Sequence, residues 1–244
     1  GTLHNNNATL LPFRLPNRFA LKIQSIFKNK INDMKISMIL NVVLAIALVF
    51  LSYKLALAGD GKVNEHDCSE VVINNILKRT SVRSYKDRTV ESEKVEKLLR
   101  AGMAAPTAVN KQPWHFIVVT DKNQLQKLSE ANPHAGMAAK APLAIVVCGD
   151  MDKALEGDAR EFWIQDCSAA TENILLAATG MGLGAVWTGT YPSKERCAAV
   201  AAVLQLPDTL IPLNTIVIGY PDTEPIPKDK WKKENFSYNV YGEE

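Results

Sequence analysis

From Ile36 to Tyr53 the chain reads ISMILNVVLAIALVFLSY, eighteen residues without a charge and apolar on every face of a helix. Such a helix is about 27 Å long at roughly 1.5 Å per residue, just enough to span a bilayer. Core helices of soluble domains keep a polar stripe, so a run apolar all round predicts export or membrane anchoring. Lys35 precedes the run, and Lys54 with the small residues Ala56 and Ala58 follows it, giving residues 34–58 the three parts of a signal peptide. Residues 1–33 are too long for the leading part of such a peptide. Translation from Met34, or a signal anchor whose basic flank stays in the cytoplasm, accounts for them. Either route predicts that residues 59–244 are exported to a periplasm or face outward from an anchor. They remain cytoplasmic only if 34–58 is not a functional signal.

Beyond a polar linker over 59–67, the pattern alternates between helical stripes and short apolar runs. Val71, Val72, Ile76 and Leu77 predict a helix over Cys68–Arg79, followed by a loop from Thr80 to Val90. Val95, Leu98 and Leu99 predict a second helix from Glu91 to Ala105, which Pro106 ends. WHFIVVT over Trp114–Thr120 and LAIVVC over Leu143–Cys148 read as strands, with a short helix at Lys122–Ala131 between them. Ala159–Met181, rich in small apolar residues, predicts a long helix with close neighbours on more than one side. Gly184–Thr188 and Ile211–Gly219 predict two more strands, with a helix at Lys194–Leu204 between them. The tail from Tyr220, rich in Pro and Lys, has no period. Helices alternating with strands in one domain over 68–244 make the class α/β or α+β.

Composition changes this picture in one respect. The 244 residues are 47% hydrophobic with a net charge of +2, which excludes fibrous and disordered classes and gives no reason to expect nucleic acid. Residues 1–58, however, hold seven basic residues and one acid, leaving 21 basic and 25 acidic residues beyond them, a net of −4. A basic, apolar leader is joined to an acidic domain.

The four cysteines, Cys68, Cys148, Cys167 and Cys197, form no C-x-x-C and have no paired His spacing, so no metal site is expected. Cys148 and Cys167 read as buried thiols, and no disulfide can be assigned. His115 reads as a packed strand residue. Gly180, Gly182 and Gly184 end a helix rather than open one, so they read as a helix terminus and tight turn, not a dinucleotide loop. There is no nucleophile elbow, P-loop, H-E-x-x-H or acid pair, and an enzyme without such groups takes its chemistry from a cofactor.

Three stretches carry candidate binding chemistry. Arg79-Thr80-Ser81-Val82-Arg83 places two guanidinium forks and two hydroxyls where they can converge on one anion, or form a solvated basic turn. Ala105 to Trp114 holds two prolines around Asn110 and Gln112, whose amides suit the polar edge of a heteroaromatic ring or satisfy each other. Trp187-Thr188-Gly189-Thr190 ends a strand with an aromatic, a hydroxyl and a glycine that lets a ligand approach the backbone.

In this order, with Leu99–Ala108, Gly182–Gly189 and Ile218-Gly219-Tyr220-Pro221, these segments resemble the nitroreductase family of flavin-dependent oxidoreductases. The resemblance implies an α+β fold with a mixed central sheet flanked by helices, and an intertwined homodimer with FMN at the subunit interface. The small-residue helix would lie at the dimer centre, and the tail would cross to the partner. Arg79, Ser81 and Arg83 would hold the FMN phosphate and ribityl chain, with Thr80 acting through its backbone. Pro106, Thr107, Ala108 and Asn110 would contact the flavin from the other subunit, and Trp187, Thr188 and Gly189 would line the isoalloxazine. Lys230, or alternatively Lys228, would complete the phosphate site. The implied activity is ping-pong hydride transfer from NADH or NADPH to a nitroaromatic, quinone or similar small aromatic acceptor, with no catalytic side chain named. Reductive dehalogenation, ring oxidation or a flavin carrier or sensor without turnover are the alternatives. The membrane would be met only through residues 36–53. Nicotinamides are cytoplasmic, so export sets the donor against the address.

Overall fold

The computed structural model describes residues 17–59 and 65–242 and divides the chain into two units, Gly1–Asn64 and Glu65–Glu244. In the first unit, Asn17–Gly59 forms one helix, α1, about 64 Å long at 1.5 Å per residue. Its segment Ser25–Lys54 is long and apolar enough to cross a membrane, and none of it is buried. Helix therefore continues well upstream of Met34. The side chains of Ala56 and Ala58, residues 60–64 of the linker, and the side chain of Cys68 lie outside the described residues.

The second unit contains α2 (Glu65–Lys78), α3 (Ser92–Met103), β1 (Trp114–Val119), α4 (Lys122–Ala131), β2 (Leu143–Asp150), α5 (Phe162–Gly180), β3 (Gly184–Gly189), α6 (Lys194–Leu204) and β4 (Leu210–Gly219). Helix α2 starts three residues before the expected Cys68. The expected long helix is divided into a 3-10 turn, Gly157–Glu161, and α5. The bounds of α4 and α6 match the expected ones because each has a side-chain cap. Asp121 accepts from the Gln124 N–H at 2.9 Å, and Ser193 accepts from the Arg196 N–H at 3.3 Å. The glycine run behaves as a helix end: α5 stops at Gly180, Gly182 takes φ +71°, and β3 begins at Gly184.

The sheet order is β1-β2-β4-β3 with every neighbouring pair antiparallel. Among the described residues the parallel component is a single bridge, Ser81 against Ala185 of β3. The central strands β2 and β4 are buried on both faces, which explains their unbroken apolar runs. Leu98, Ile145, Trp163, Ile174 and Ile216 form the core beneath α3 and α5. On the opposite face, Leu125, Val146, Cys148, Val200 and Val217 pack with α4 and α6. Cys148 and Cys167 are buried free thiols, and burial pushes Cys148 up to about 12. His115 departs from expectation: β1 is an edge strand, so its side chain is exposed rather than packed.

One surface network ties the end of β4 to the start of α3. The Tyr220 hydroxyl donates to Glu91 at 2.6 Å, and Lys94 donates to the Tyr220 oxygen at 2.9 Å and to the Met181 carbonyl at 3.2 Å. Arg88 donates to the other Glu91 oxygen at 2.8 Å and lies 3.9 Å from the Tyr220 ring centre. The bond from Tyr220 leads the causes that hold Glu91 at about 2, against its ordinary 4.5. A depressed folded-state value stabilises the fold above the unfolded value, and the contribution is lost as pH falls through the folded one. The pH window is therefore 4.5 down to 2. Tyr220→Phe is expected to flatten the fall of melting temperature across that window, and parallel melting-against-pH curves for both proteins would refute the assignment.

Candidate functional site

Helix α2 delivers the first candidate segment to the edge of the sheet. Its last turn closes through the Arg79 N–H to the carbonyls of Asn75 and Ile76, and the chain then extends so that the Val82 N–H donates to Ala185 at 3.0 Å. Gly184 is needed for this close approach, because a Cβ there would lie 2.7 Å from Val82 Cβ. The Arg79 side chain is mostly covered, at 19% exposure, and its Nε lies 3.5 Å from Glu172 on α5. Its terminal nitrogens have no hydrogen bond to another described residue. Ser81 and Arg83 are exposed beside it. A cleft of about 450 Å³ is lined by Thr80, Ser81, Arg83, Thr223, Glu224 and Lys228. The basic tail residue on this cleft is Lys228, the alternative choice, and not Lys230.

Pro106, Thr107, Ala108 and Asn110 share one loop before β1. Val109, Asn110 and Gln112 all have positive φ, at 51°, 55° and 50°. Each such conformation costs on the order of 1–3 kcal/mol outside glycine, and β-branched Val109 is the least suited. Internal bonds hold the turn: the Gln112 N–H donates to Thr107 Oγ1 at 3.1 Å, and Gln112 Nε2 donates to Asn110 Oδ1 at 3.0 Å. The two amides thus partly satisfy each other. From below, buried Asp166 of α5 accepts the Ala108 N–H at 2.9 Å.

At the end of β3, Trp187 is half-buried against the α5 core. Thr188 is buried and its hydroxyl donates to the Thr215 carbonyl at 2.7 Å, so it faces a ligand only through its backbone. Gly189 is open: a Cβ there would meet nothing nearer than the Tyr191 carbonyl at 4.0 Å. Asn132, fully buried, donates to the Gly189 carbonyl at 3.1 Å and accepts the His134 N–H at 3.1 Å. It fixes this strand end from the α4 side and was not singled out in the sequence; its signal is an Asn-Pro pair between two helical segments.

The elements set these residues apart in a defined way. Ser81 bridges to Ala185 of β3, from which Trp187 is two and Gly189 four residue steps along the strand, roughly 7 and 14 Å. The loop before β1 lies at the opposite edge of the sheet, with β2 and β4 between, about 14 Å away at 4.8 Å per strand. One chain therefore places the first and third segments along the β3 edge and the second at the opposite edge of the sheet.

This fold is that of the nitroreductase family, whose model matches residues 76–135 and 130–220, and the chain belongs to that family. It is 45% identical over 170 residues to a protein of Methanothermobacter thermautotrophicus named as an NADH dehydrogenase/NAD(P)H nitroreductase, covering 70% of this chain and 85% of that one. A crystal structure bearing the same name, from Parabacteroides distasonis, is 48% identical with a TM-score of 0.66, covering 70% of this chain and 98% of that one. An FMN-dependent nitroreductase from Clostridium difficile is 31% identical with a TM-score of 0.64, over 69% of this chain and 99% of the other.

Proposed function

We propose that residues 65–242 form an FMN-dependent NAD(P)H oxidoreductase that reduces nitroaromatic, quinone or related acceptors by two electrons. The observation that carries this reading is the pairing of a cationic cleft at one end of β3 with an open backbone at the other. Ser81, Arg83 and Lys228 line this cleft beside Glu224, and Arg79, on the same segment but outside the lining, adds a second fork, the donors that a phosphate dianion requires. At the far end, Gly189 and Trp187 leave backbone and an aromatic side chain for a flat ring system. The separation of roughly 14 Å suits a phosphate joined to a ring through a sugar-alcohol chain. These residues fit FMN.

When bound, FMN would supply the hydride chemistry that links a nicotinamide donor to the acceptor. The chain's own residues bind and orient. Arg79 and Arg83 neutralise the phosphate, Asn132 fixes the Gly189 peptide, and buried Thr188 keeps the strand end rigid. No side chain here needs to act as acid or base.

The second subunit follows from what one chain leaves uncovered. Val71, Val72, Ile73, Ile76 and Leu77 of α2 are exposed, and so are Ile226, Trp231 and Tyr241 of the tail. Large apolar side chains on a helix face and on an arm are covered when two copies interlock. In such a dimer the Pro106–Asn110 loop of one copy would meet the β3 edge of the other. Helix α1 serves as an export signal or anchor for this domain. The donor must then reach it, or FMN must be loaded before export.

The test is the absorbance spectrum of the purified chain, followed by anaerobic NADH and NADPH. A flavin spectrum that bleaches with either nicotinamide is expected, with a dimeric mass in light scattering. A protein that neither carries nor takes up FMN ends this reading, and a bound flavin that neither nicotinamide reduces turns it into a carrier.

A further inference from the structure

We infer that Asp166 is a positioning residue that holds the loop from Pro106 to Gln112 in the strained conformation required to meet the flavin, an inference that rests on the FMN reading above. Three non-glycine residues within four positions occupy the left-handed region. Val109 among them is 81% exposed, so no packing of its side chain offsets its strain. The loop's shape must therefore be imposed by hydrogen bonds. Most of them are internal to the loop: Thr107 to Gln112, Asn110 to Gln112, and the Asn110 N–H to the Thr107 carbonyl at 3.1 Å. These bonds travel with the loop and cannot fix it to the domain.

Asp166 can. It projects from the second turn of α5, is 6% exposed, and takes the Ala108 N–H at 2.9 Å directly before the strained pair. A backbone N–H bonded to a buried side-chain oxygen is tied to the helix that carries that oxygen, away from competing water. Helix α5 is itself held by the core through Trp163, Ile174 and Leu175, so its position does not follow the loop. The remaining attachments, the Asp150 N–H and the Cys167 thiol to the Pro113 carbonyl, fix the loop's exit rather than its tip. Asp166 thus sets the conformation before ligand arrives, and binding is spared the cost of ordering the loop. It acts through Ala108 and does not touch the flavin.

Two consequences separate this role from general support of the fold. First, the function lies in the acceptor oxygen, so Asp166→Asn preserves it and Asp166→Ala removes it. Second, the need for Asp166 comes from the strain at Val109. Asparagine, which tolerates the left-handed region far better than a β-branched residue, reduces that need at position 109.

The experiment is FMN titration of the full-length apo-protein, followed by flavin fluorescence quenching, with hydrogen exchange at the Ala108 amide. Asp166→Ala is expected to raise the FMN dissociation constant tenfold or more and to speed Ala108 exchange at least tenfold, while Asp166→Asn stays within threefold on both. With Val109→Asn in place, the Asp166→Ala penalty is expected to shrink below threefold. Should Asp166→Ala fail to fold, Val109→Asn alone decides: it should raise the apo melting temperature and keep FMN affinity. Wild-type affinity in Asp166→Ala, an undiminished penalty beside Val109→Asn, or a loss of affinity in Val109→Asn alone would each overturn the inference. Absence of FMN binding in the wild type would instead end the oxidoreductase reading.

Discussion

Replacing Arg79 with alanine is expected to raise the FMN dissociation constant by roughly 10- to 150-fold. The factor follows from removal of a charge-assisted contact worth about 1.5–3 kcal/mol, at about 1.4 kcal/mol per tenfold. Arg79 is chosen over Arg83 for its surroundings. Its side chain is mostly covered and its Nε lies beside Glu172, so the guanidinium plane is preset and the terminal nitrogens remain for a phosphate. Arg83 is exposed, and water screens what it offers. Arg79→Lys is expected to fall between alanine and wild type, because it keeps the charge and loses the fork. The loss should appear as affinity rather than stability, since a half-exposed ion pair such as Arg79–Glu172 contributes at most about 1 kcal/mol. Titration of apo-protein with FMN beside apo melting curves makes the distinction. Unchanged affinity would remove Arg79 from the phosphate site.

The parts of this molecule legible in its sequence are those governed by local physics. Helices α4 and α6 carry Asp121 and Ser193 caps, and their bounds follow from residues within one turn. The glycines at 180–184 mark a helix end because only the residues beside them decide it. Strand order is a different matter: β2 pairs with β4 across some seventy residues, and nothing near Leu143 or Ile211 encodes that choice. His115 follows from the same ignorance, since a residue in an edge strand and one in a central strand look alike before the neighbours are known. At the candidate site, Arg79, Ser81 and Arg83 stand out in the sequence as a local cluster of forks and a hydroxyl. A tail without period gives no way to choose between Lys228 and Lys230, and the fold puts Lys228 on the cleft. The loop before β1 was legible by its amides and prolines, while its strain was not. Val109 has every local reason to be extended, and what holds it otherwise includes Asp166, 57 residues further along the chain.

Helix α5 carries both Asp166 and Glu172, and its seat in the core is expected to be the most sensitive point of the domain. Ile174, fully buried, fits against Gly102 of α3, where an added Cβ would lie 3.0 Å from Ile174 Cδ1 and Cγ1. Ile174→Ala is expected to cost about 2–5 kcal/mol, the lost burial plus the cavity left behind. At roughly 2–4 °C per kcal/mol for a domain of this size, the melting temperature should fall on the order of 10 °C. Gly102→Ala alone brings two opposed effects. It gains about 1 kcal/mol of helix propensity and overpacks Ile174 at a cost of about 1–3 kcal/mol. Together the changes should not add. With Cγ1 and Cδ1 gone, the new methyl group enters the space that they vacate, so the double variant should be more stable than the sum of the single losses. The expected coupling is about 1–3 kcal/mol, measurable by denaturant unfolding of the four proteins. Strict additivity would mean that α3 and α5 move apart instead of packing rigidly. Asp166 and Glu172 would then no longer rest on a fixed helix, and both the loop and the phosphate cluster would need another source of order.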